Sequence, residues 1–208
     1  LYSRAFLMMV ESGKMRVMEV LAEATNVIAE GEVLQLMNTH DASLSEDDYL
    51  LVIRSKTAKL FEASARLAPI LAKSDAATEQ ACATYGQALG TAFQVVDDLL
   101  DYAGDSTDFG KNLGDDLREG KTTLPLILAM QNGSPEQSQT IRNAIETGDL
   151  QALQQIVSIV RSTGALEATQ AAAAAEAQRA MAALSGLPPS PYREALHQLA
   201  AQLLNRRT

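Results

Sequence analysis

Tryptophan is absent from the 208-residue chain, cysteine and histidine number one and two, and aromatic residues make up 4%. The lone cysteine, Cys82, has no partner for an intramolecular disulfide and suits a small core position in a reducing, cytoplasmic setting. His40 and His197, well separated and joined by a single cysteine, exclude the usual structural zinc sites. Neither histidine is read as catalytic. Few aromatics beside plentiful Ala, Leu and Gln favour helix over strand. No apolar run reaches 18 residues, so no segment is expected to span a membrane. A basic excess is lacking too. The balance of 17 basic and 26 acidic residues gives a net charge of −9, which argues against a nucleic-acid partner.

What is present is an acidic stripe on an apolar helix. In Phe93-Gln94-Val95-Val96-Asp97-Asp98-Leu99-Leu100-Asp101, the four residues Gln94, Asp97, Asp98 and Asp101 share roughly a 100° arc. Phe93, Val95, Val96, Leu99 and Leu100 fill the other side. Like charges at this spacing repel, and more strongly where water is partly excluded, so a cation is the natural complement. Hard oxygen ligands without histidine or cysteine point to magnesium completed by phosphate and water. The competing reading is a solvated acidic face. Glycines at 104, 110, 114 and 120 mark a following loop that brings Lys111, Arg118 and Lys121 near the stripe. Cations beside magnesium suit a diphosphate. A calcium loop starting at Asp101 fails, with Ala103 third, Asn112 twelfth and no glycine sixth.

The remaining pattern is helical throughout. Two helices are expected over 1–12 and 14–38, broken near Gly13, the second using Val17, Leu21, Val27, Ile28 and Leu34 as part of its apolar face. Ser45 caps a helix to about Lys73, bent near Lys56-Thr57 and at Pro69. Asp75 caps the acidic-stripe helix, which ends near Tyr102; Gly86 and Gly90 should let a neighbour approach closely. A short helix follows over 124–130. Ser134-Pro135 and Ser190-Pro191 start two more, the last ending near Asn205. Asp149 starts another, and an alanine-rich helix covers about 165–184. Lys59 and Arg118 read as surface charges and Asp115 as solvated. Met8, Met9, Met15 and Met18 read as core filler more than as a lipid tunnel.

Residues 86–126, GQALGTAFQVVDDLLDYAGDSTDFGKNLGDDLREGKTTLPL, resemble the second aspartate-rich region of the trans-isoprenyl diphosphate synthases. AEGEVLQLMN at 29–38 and Lys56-Thr57-Ala58-Lys59-Leu60-Phe61 match the same family in order. Gly31-Glu32-Val33-Leu34-Gln35 stands where short-chain members carry GQxxD, which favours the long-chain polyprenyl branch. The resemblance implies an all-α isoprenoid-synthase bundle and a magnesium-dependent prenyltransferase, in the cytoplasm and as a homodimer. Its substrates would be an allylic diphosphate, such as farnesyl diphosphate, and isopentenyl diphosphate. Its product would be a long all-trans polyprenyl diphosphate, octaprenyl in length, for quinone side chains. Asp97, Asp98 and Asp101 match metal ligands, the first and last the closest, and Asp116 an acid kept beside them. Lys56, Lys111 and Lys121 match lysines on the allylic diphosphate, while Thr57 and Gln94 match stabilisers of the allylic cation.

Family members carry a further aspartate-rich motif upstream on a facing helix. Here no paired aspartates precede Asp47-Asp48, which follow Ser45 as a helical first turn. The chain opens on a helical pattern without methionine. Residues 1–208 are therefore expected to be the C-terminal portion of a single synthase domain, incomplete at its N-terminus. The alternatives are a short-chain synthase, a non-catalytic subunit of a heteromeric synthase, a class I terpene cyclase or a purely structural helical protein.

Overall fold

Gly13, at φ +64, separates α1 (Tyr2–Glu11) from α2 (Met15–Met37) in the computed structural model, which describes residues 2–103, 114–148 and 150–204. Every regular element among these residues is helical. Ser45 accepts from the Asp48 amide at 3.1 Å and starts α3 (Glu46–Ile53). A π-helical turn over Arg54–Ala58 then leads into α4 (Lys59–Ala72), which runs through Pro69 to a left-handed Lys73. Lys14 closes the end of α4, donating to the carbonyls of Ile70 and Leu71 at 2.9 and 2.6 Å. Asp75 caps α5 (Ala76–Ala103) through the Thr78 amide at 2.8 Å.

The second half packs against α5. It comprises α6 (Asp115–Arg118), α7 (Leu124–Asn132), α8 (Pro135–Thr147), α9 (Leu153–Ser162), α10 (Ala165–Ala183) and α11 (Pro191–Leu203). Ser134 forms a full capping box with Gln137, and Ser190 accepts from the Arg193 amide. The central helix α5 lies between α4 and α10. Ala165, Thr169, Ala173, Ala177 and Ala180 form the narrow buried face of α10. Larger side chains fill the α7–α9 end, where Leu126, Ile141, Ile145, Ile156 and Val160 are fully buried. No helix among the described residues is long and apolar enough to cross a membrane.

The glycines of α5 mark a backbone-to-backbone approach. A Cβ at Gly86 would lie 2.4 Å from the Phe61 carbonyl oxygen, and one at Gly90 would lie 2.7 Å from the Ala58 Cα. Gly86→Ala should therefore cost about 3 kcal/mol, read as a fall of roughly 6–12 °C in Tm. Gly186→Ala, whose new Cβ meets nothing within 4 Å, should leave Tm within a degree or two of wild type. Equal shifts in the two variants would remove the close-approach explanation.

Several sequence expectations need correction. Val17, Val20, Ala24 and Gly31 are the buried residues of α2, while Leu21, Val27, Ile28 and Leu34 are only half-buried. Met8 and Met15 are exposed at 60% and 69%, so they are not core filler; Met9 and Met18 are half-buried. Lys59 is not a surface charge. Its ammonium is held between Glu23 and Glu62, both at 3.1 Å, with its side chain 15% exposed. Asp115 and Arg118 pair with each other at the surface, exposed at 42% and 48% as expected, but inside the short helix α6 where only loop was expected. Asp149, Asn205 and the glycine-rich stretch 104–113 lie outside the described residues.

Candidate active site

Two helices bring the functional side chains together. On α5, Gln94, Asp97, Asp98 and Asp101 follow one another up the helix; opposite them, α3 and the π turn supply Tyr49, Lys56 and Thr57. The π turn matters because both Lys56 and Thr57, adjacent in sequence, line one cavity. That cavity is about 200 Å³ and is bordered by Gln35 and Asn38 from the end of α2. Its far wall is Asp116 with the strap Lys121-Thr122-Thr123. Gly31 permits the arrangement: a Cβ there would sit 2.7 Å from the Lys56 amide nitrogen.

A hydrogen-bonded line crosses the cavity. Thr57 donates its hydroxyl to Gln94 Oε1 at 3.0 Å, Gln94 Nε2 donates to Asp98 Oδ1 at 2.8 Å, and Tyr49 donates to Asp98 Oδ2 at 2.6 Å. Asp98 is thus buried with both oxygens engaged. Asp101 Oδ2 accepts from the Asp116 amide at 3.3 Å. Lys56 reaches Gln35 Oε1 at 3.1 Å and Glu32 Oε2 at 2.8 Å. Lys121 reaches Asp116 at 3.3 Å and Glu119 at 2.6 Å.

The electrostatics follow from crowding acids in a desolvated cleft. Burial, then the charge of Asp116, pushes Asp98 up to about 7 and Asp101 up to about 6. Burial also raises Asp116, against the pull of Lys121. Burial and Asp98 keep the Tyr49 proton in place far above its ordinary range, so Tyr49 acts as a fixed donor. Lys121 loses charge stability to burial but is held above the ordinary lysine value by Glu119 and Asp116.

Of the residues named from sequence, Lys56, Thr57, Gln94, Asp98, Asp116 and Lys121 meet at the cavity. Asp97 is half-buried on the same helix and Asp101 is buried beside Asp116; neither lines the cavity wall. Among the described residues no three or more His, Cys, Asp or Glu converge as a ready-made metal cage. Asp98 is turned inward by Tyr49 and Gln94. Lys111 lies outside the described residues.

Sequence reading missed Tyr49, Glu32, Gln35 and the structural use of His40. Tyr49 lies on α3, and its role is set by Asp98, 49 residues away in sequence. His40, at φ +64, takes the Gly120 carbonyl with its amide at 2.8 Å and sets Nδ1 2.6 Å from the Ile145 carbonyl oxygen. A Cβ at Gly120 would collide with the His40 ring, at 2.5 Å. Thr122 adds a bond to the Asp41 carbonyl at 2.8 Å, so the Lys121 strap is pinned to the turn after α2.

Residues 1–161 match the Polyprenyl synthetase family. The chain belongs to that family. It is 53% identical over 201 residues to the octaprenyl diphosphate synthase of Escherichia coli, covering 96% of this chain and 62% of that protein. It is 45% identical over 206 residues to an all-trans-nonaprenyl-diphosphate synthase of Rhodobacter capsulatus, covering 99% and 63%. The solved polyprenyl synthase of Caulobacter crescentus, complexed with calcium and isoprenyl diphosphate, superposes with a TM-score of 0.93 at 44% identity, covering 100% of this chain and 64% of that one. The all-α fold of the isoprenyl diphosphate synthases is thereby shown. The chain spans just over three-fifths of the length of these polyprenyl synthases.

Proposed function

We propose that this chain forms the diphosphate-binding and cation-stabilising wall of a long-chain trans-polyprenyl diphosphate synthase. The observation that carries the reading is one cavity with two chemistries. Lys56 and Lys121 supply positive charge, and the Thr57–Gln94–Asp98 line supplies oriented oxygen dipoles. The reaction would ionise the allylic C–O bond, the electron pair leaving with the diphosphate. Isopentenyl diphosphate would then add its double bond to the allylic carbon and lose a proton to the released diphosphate. Anion and cation must be stabilised a few ångströms apart without water, as this wall is suited to do.

Magnesium fits the donors present. The acids are hard oxygen ligands, and burial with mutual repulsion lifts Asp98 and Asp101 well above ordinary carboxylates, a strain that a bound cation would relieve. Asp97 and Asp101 would hold the ion most closely, with Asp116 beside them. When bound it supplies positive charge to the departing diphosphate. Lys56 and Lys121 are both paired with half-exposed or exposed acids, Glu32 and Glu119, at 49% and 62% side-chain exposure. Such pairs are weak, so a diphosphate can displace them. A homodimer acting in the cytoplasm belongs to the same proposal and rests on the family membership.

Product length is proposed as octaprenyl, supported by the 53% identity to the Escherichia coli enzyme. A short chain isoprenyl diphosphate synthase of Methanothermobacter thermautotrophicus is 29% identical over 210 residues. A non-catalytic subunit is disfavoured because all three stripe carboxylates are present.

The test uses this chain. Magnesium and pyrophosphate together should raise its Tm by more than the sum of their separate shifts, because each completes the other's coordination. Asp97→Asn should shrink that excess. Merely additive shifts, or an undiminished excess in the variant, would count against the metal–diphosphate site.

A further inference from the structure

The hydrogen bonds around Asp98 have a direction, and the direction decides which atoms face the reacting carbon. Both groups that approach Asp98 do so as donors, one to each oxygen, so the carboxylate accepts at both ends. Tyr49 is buried and donates its hydroxyl to Oδ2 at 2.6 Å, which fixes the plane of the carboxylate. Gln94 must then turn its NH2 to Oδ1, at 2.8 Å, because the reversed amide would set two acceptors against each other in a buried place. With one N–H on Asp98, Gln94 presents Oε1 to Thr57 and accepts the threonine's only hydroxyl proton at 3.0 Å. Thr57 then has only oxygen lone pairs left, and Gln94 has a second lone pair on Oε1 beside one remaining N–H.

We propose that Asp98, held by Tyr49, is a positioning residue that fixes the direction of the Gln94 amide, so that oxygen lone pairs of Gln94 and Thr57 face the allylic cation. The inference rests on the proposed prenyl transfer. It gives the middle carboxylate of the stripe a task separate from holding metal. A cation beside oxygen dipoles is stabilised, whereas the reversed amide would aim N–H protons at it. The arrangement is set before substrate binds and needs no reorganisation as charge develops.

A charge-conserving swap in the complete enzyme tests this at pH 8. Asp98→Asn keeps the shape but has two unlike ends. Its oxygen should take the Tyr49 proton and its NH2 should face Gln94, forcing that amide to reverse. We expect kcat to fall on the order of 100-fold. Stabilisation by magnesium with pyrophosphate should stay within about twofold of wild type in apparent affinity. Gln94→Glu alone sets two carboxylates face to face and should also be slow. The double variant Asp98→Asn/Gln94→Glu restores the order, since the introduced amide can donate to one oxygen of the introduced carboxylate while the other accepts from Thr57. It should recover about tenfold or more over either single variant, a sign of coupling that loss of packing would not give. If one single variant does not fold, the comparison with the other carries the test.

A second readout is binding of an ammonium diphosphate that mimics the cation, measured against its neutral carbon isostere. Wild type and the double variant should prefer the cation; Asp98→Asn should lose that preference. A double variant no faster than the single variants, or Asp98→Asn losing magnesium pyrophosphate binding, would overturn the inference. Wild type failing to elongate would instead overturn the proposed function.

Discussion

Asp101→Asn should make the metal-free protein more stable at pH 8 and slow the complete enzyme on the order of a thousandfold. The two effects have one cause. Burial, then Asp116, raises the Asp101 carboxyl to about 6, so at pH 8 the fold carries a charge it disfavours. The unfolded chain releases that proton near 4 and the folded chain near 6. Stability from this group is therefore complete below about pH 4 and is lost as pH rises through 6, at up to about 1.4 kcal/mol per pH unit. Asp98, raised to about 7 by burial and then Asp116, extends the decline. Acids held low, such as Glu23 by Lys59 and Glu79 by Arg66, act in the opposite direction at more acidic pH.

Asparagine keeps the oxygen that accepts from the Asp116 amide while removing the charge, so the local fold has no reason to open. In chelator, wild-type Tm should fall from pH 5 to pH 8, and the Asp101→Asn curve should fall less. With magnesium and pyrophosphate the order should invert, because only the wild type gains a charged ligand. A variant that is less stable than wild type at pH 8 in chelator would refute the strained-carboxylate account. One that elongates at wild-type rate would remove Asp101 from the metal site.

Features written within one or two helical turns were legible in the sequence. The caps at Ser45, Asp75, Ser134 and Ser190 each depend on a side chain and an amide three residues away, and all four form. The acidic stripe on α5 needs only helical periodicity. Gly86 and Gly90 announced a close neighbour because nothing else rewards two glycines inside a helix. The face of α2 was read in part: Val17 is buried and Leu21, Val27, Ile28 and Leu34 are half-buried, but the small residues Ala24, packed with Ala63 of α4, and Gly31, set against the π turn, were not picked out by following large apolar side chains. Lys59 and Tyr49 were missed for a different reason. Each is defined by partners 36 and 49 residues away, and periodicity carries no information about which helix faces which. The π turn, which turns Lys56 and Thr57 into one cavity, falls where a bend was expected near Lys56-Thr57; its one-residue insertion in register is what local pattern did not specify.

The 208-residue chain, prepared alone, should bind magnesium pyrophosphate and yet yield no polyprenyl diphosphate. Its cavity is about 200 Å³, below the roughly 300–1,000 Å³ of sites that enclose a small molecule, so it can seat a diphosphate head but not sheathe a prenyl chain. The carboxylates of α5 reach the leaving group from one side only, and a half-surrounded diphosphate leaves developing charge to solvent. Phe6, Leu7, Met8, Val33, Leu36 and Met37 are exposed along α1 and α2, an apolar surface open to water. Water that reaches an allylic cation adds to it, so elongation gives way to hydrolysis. Exposed apolar area of this kind should also drive self-association, visible as a rise in apparent mass with concentration. Purified chain would be incubated with farnesyl diphosphate, labelled isopentenyl diphosphate and magnesium, and the prenyl products extracted. Labelled chains longer than farnesyl, from a preparation shown by mass to begin at Leu1, would mean that this wall alone both grips the diphosphate and shields the cation.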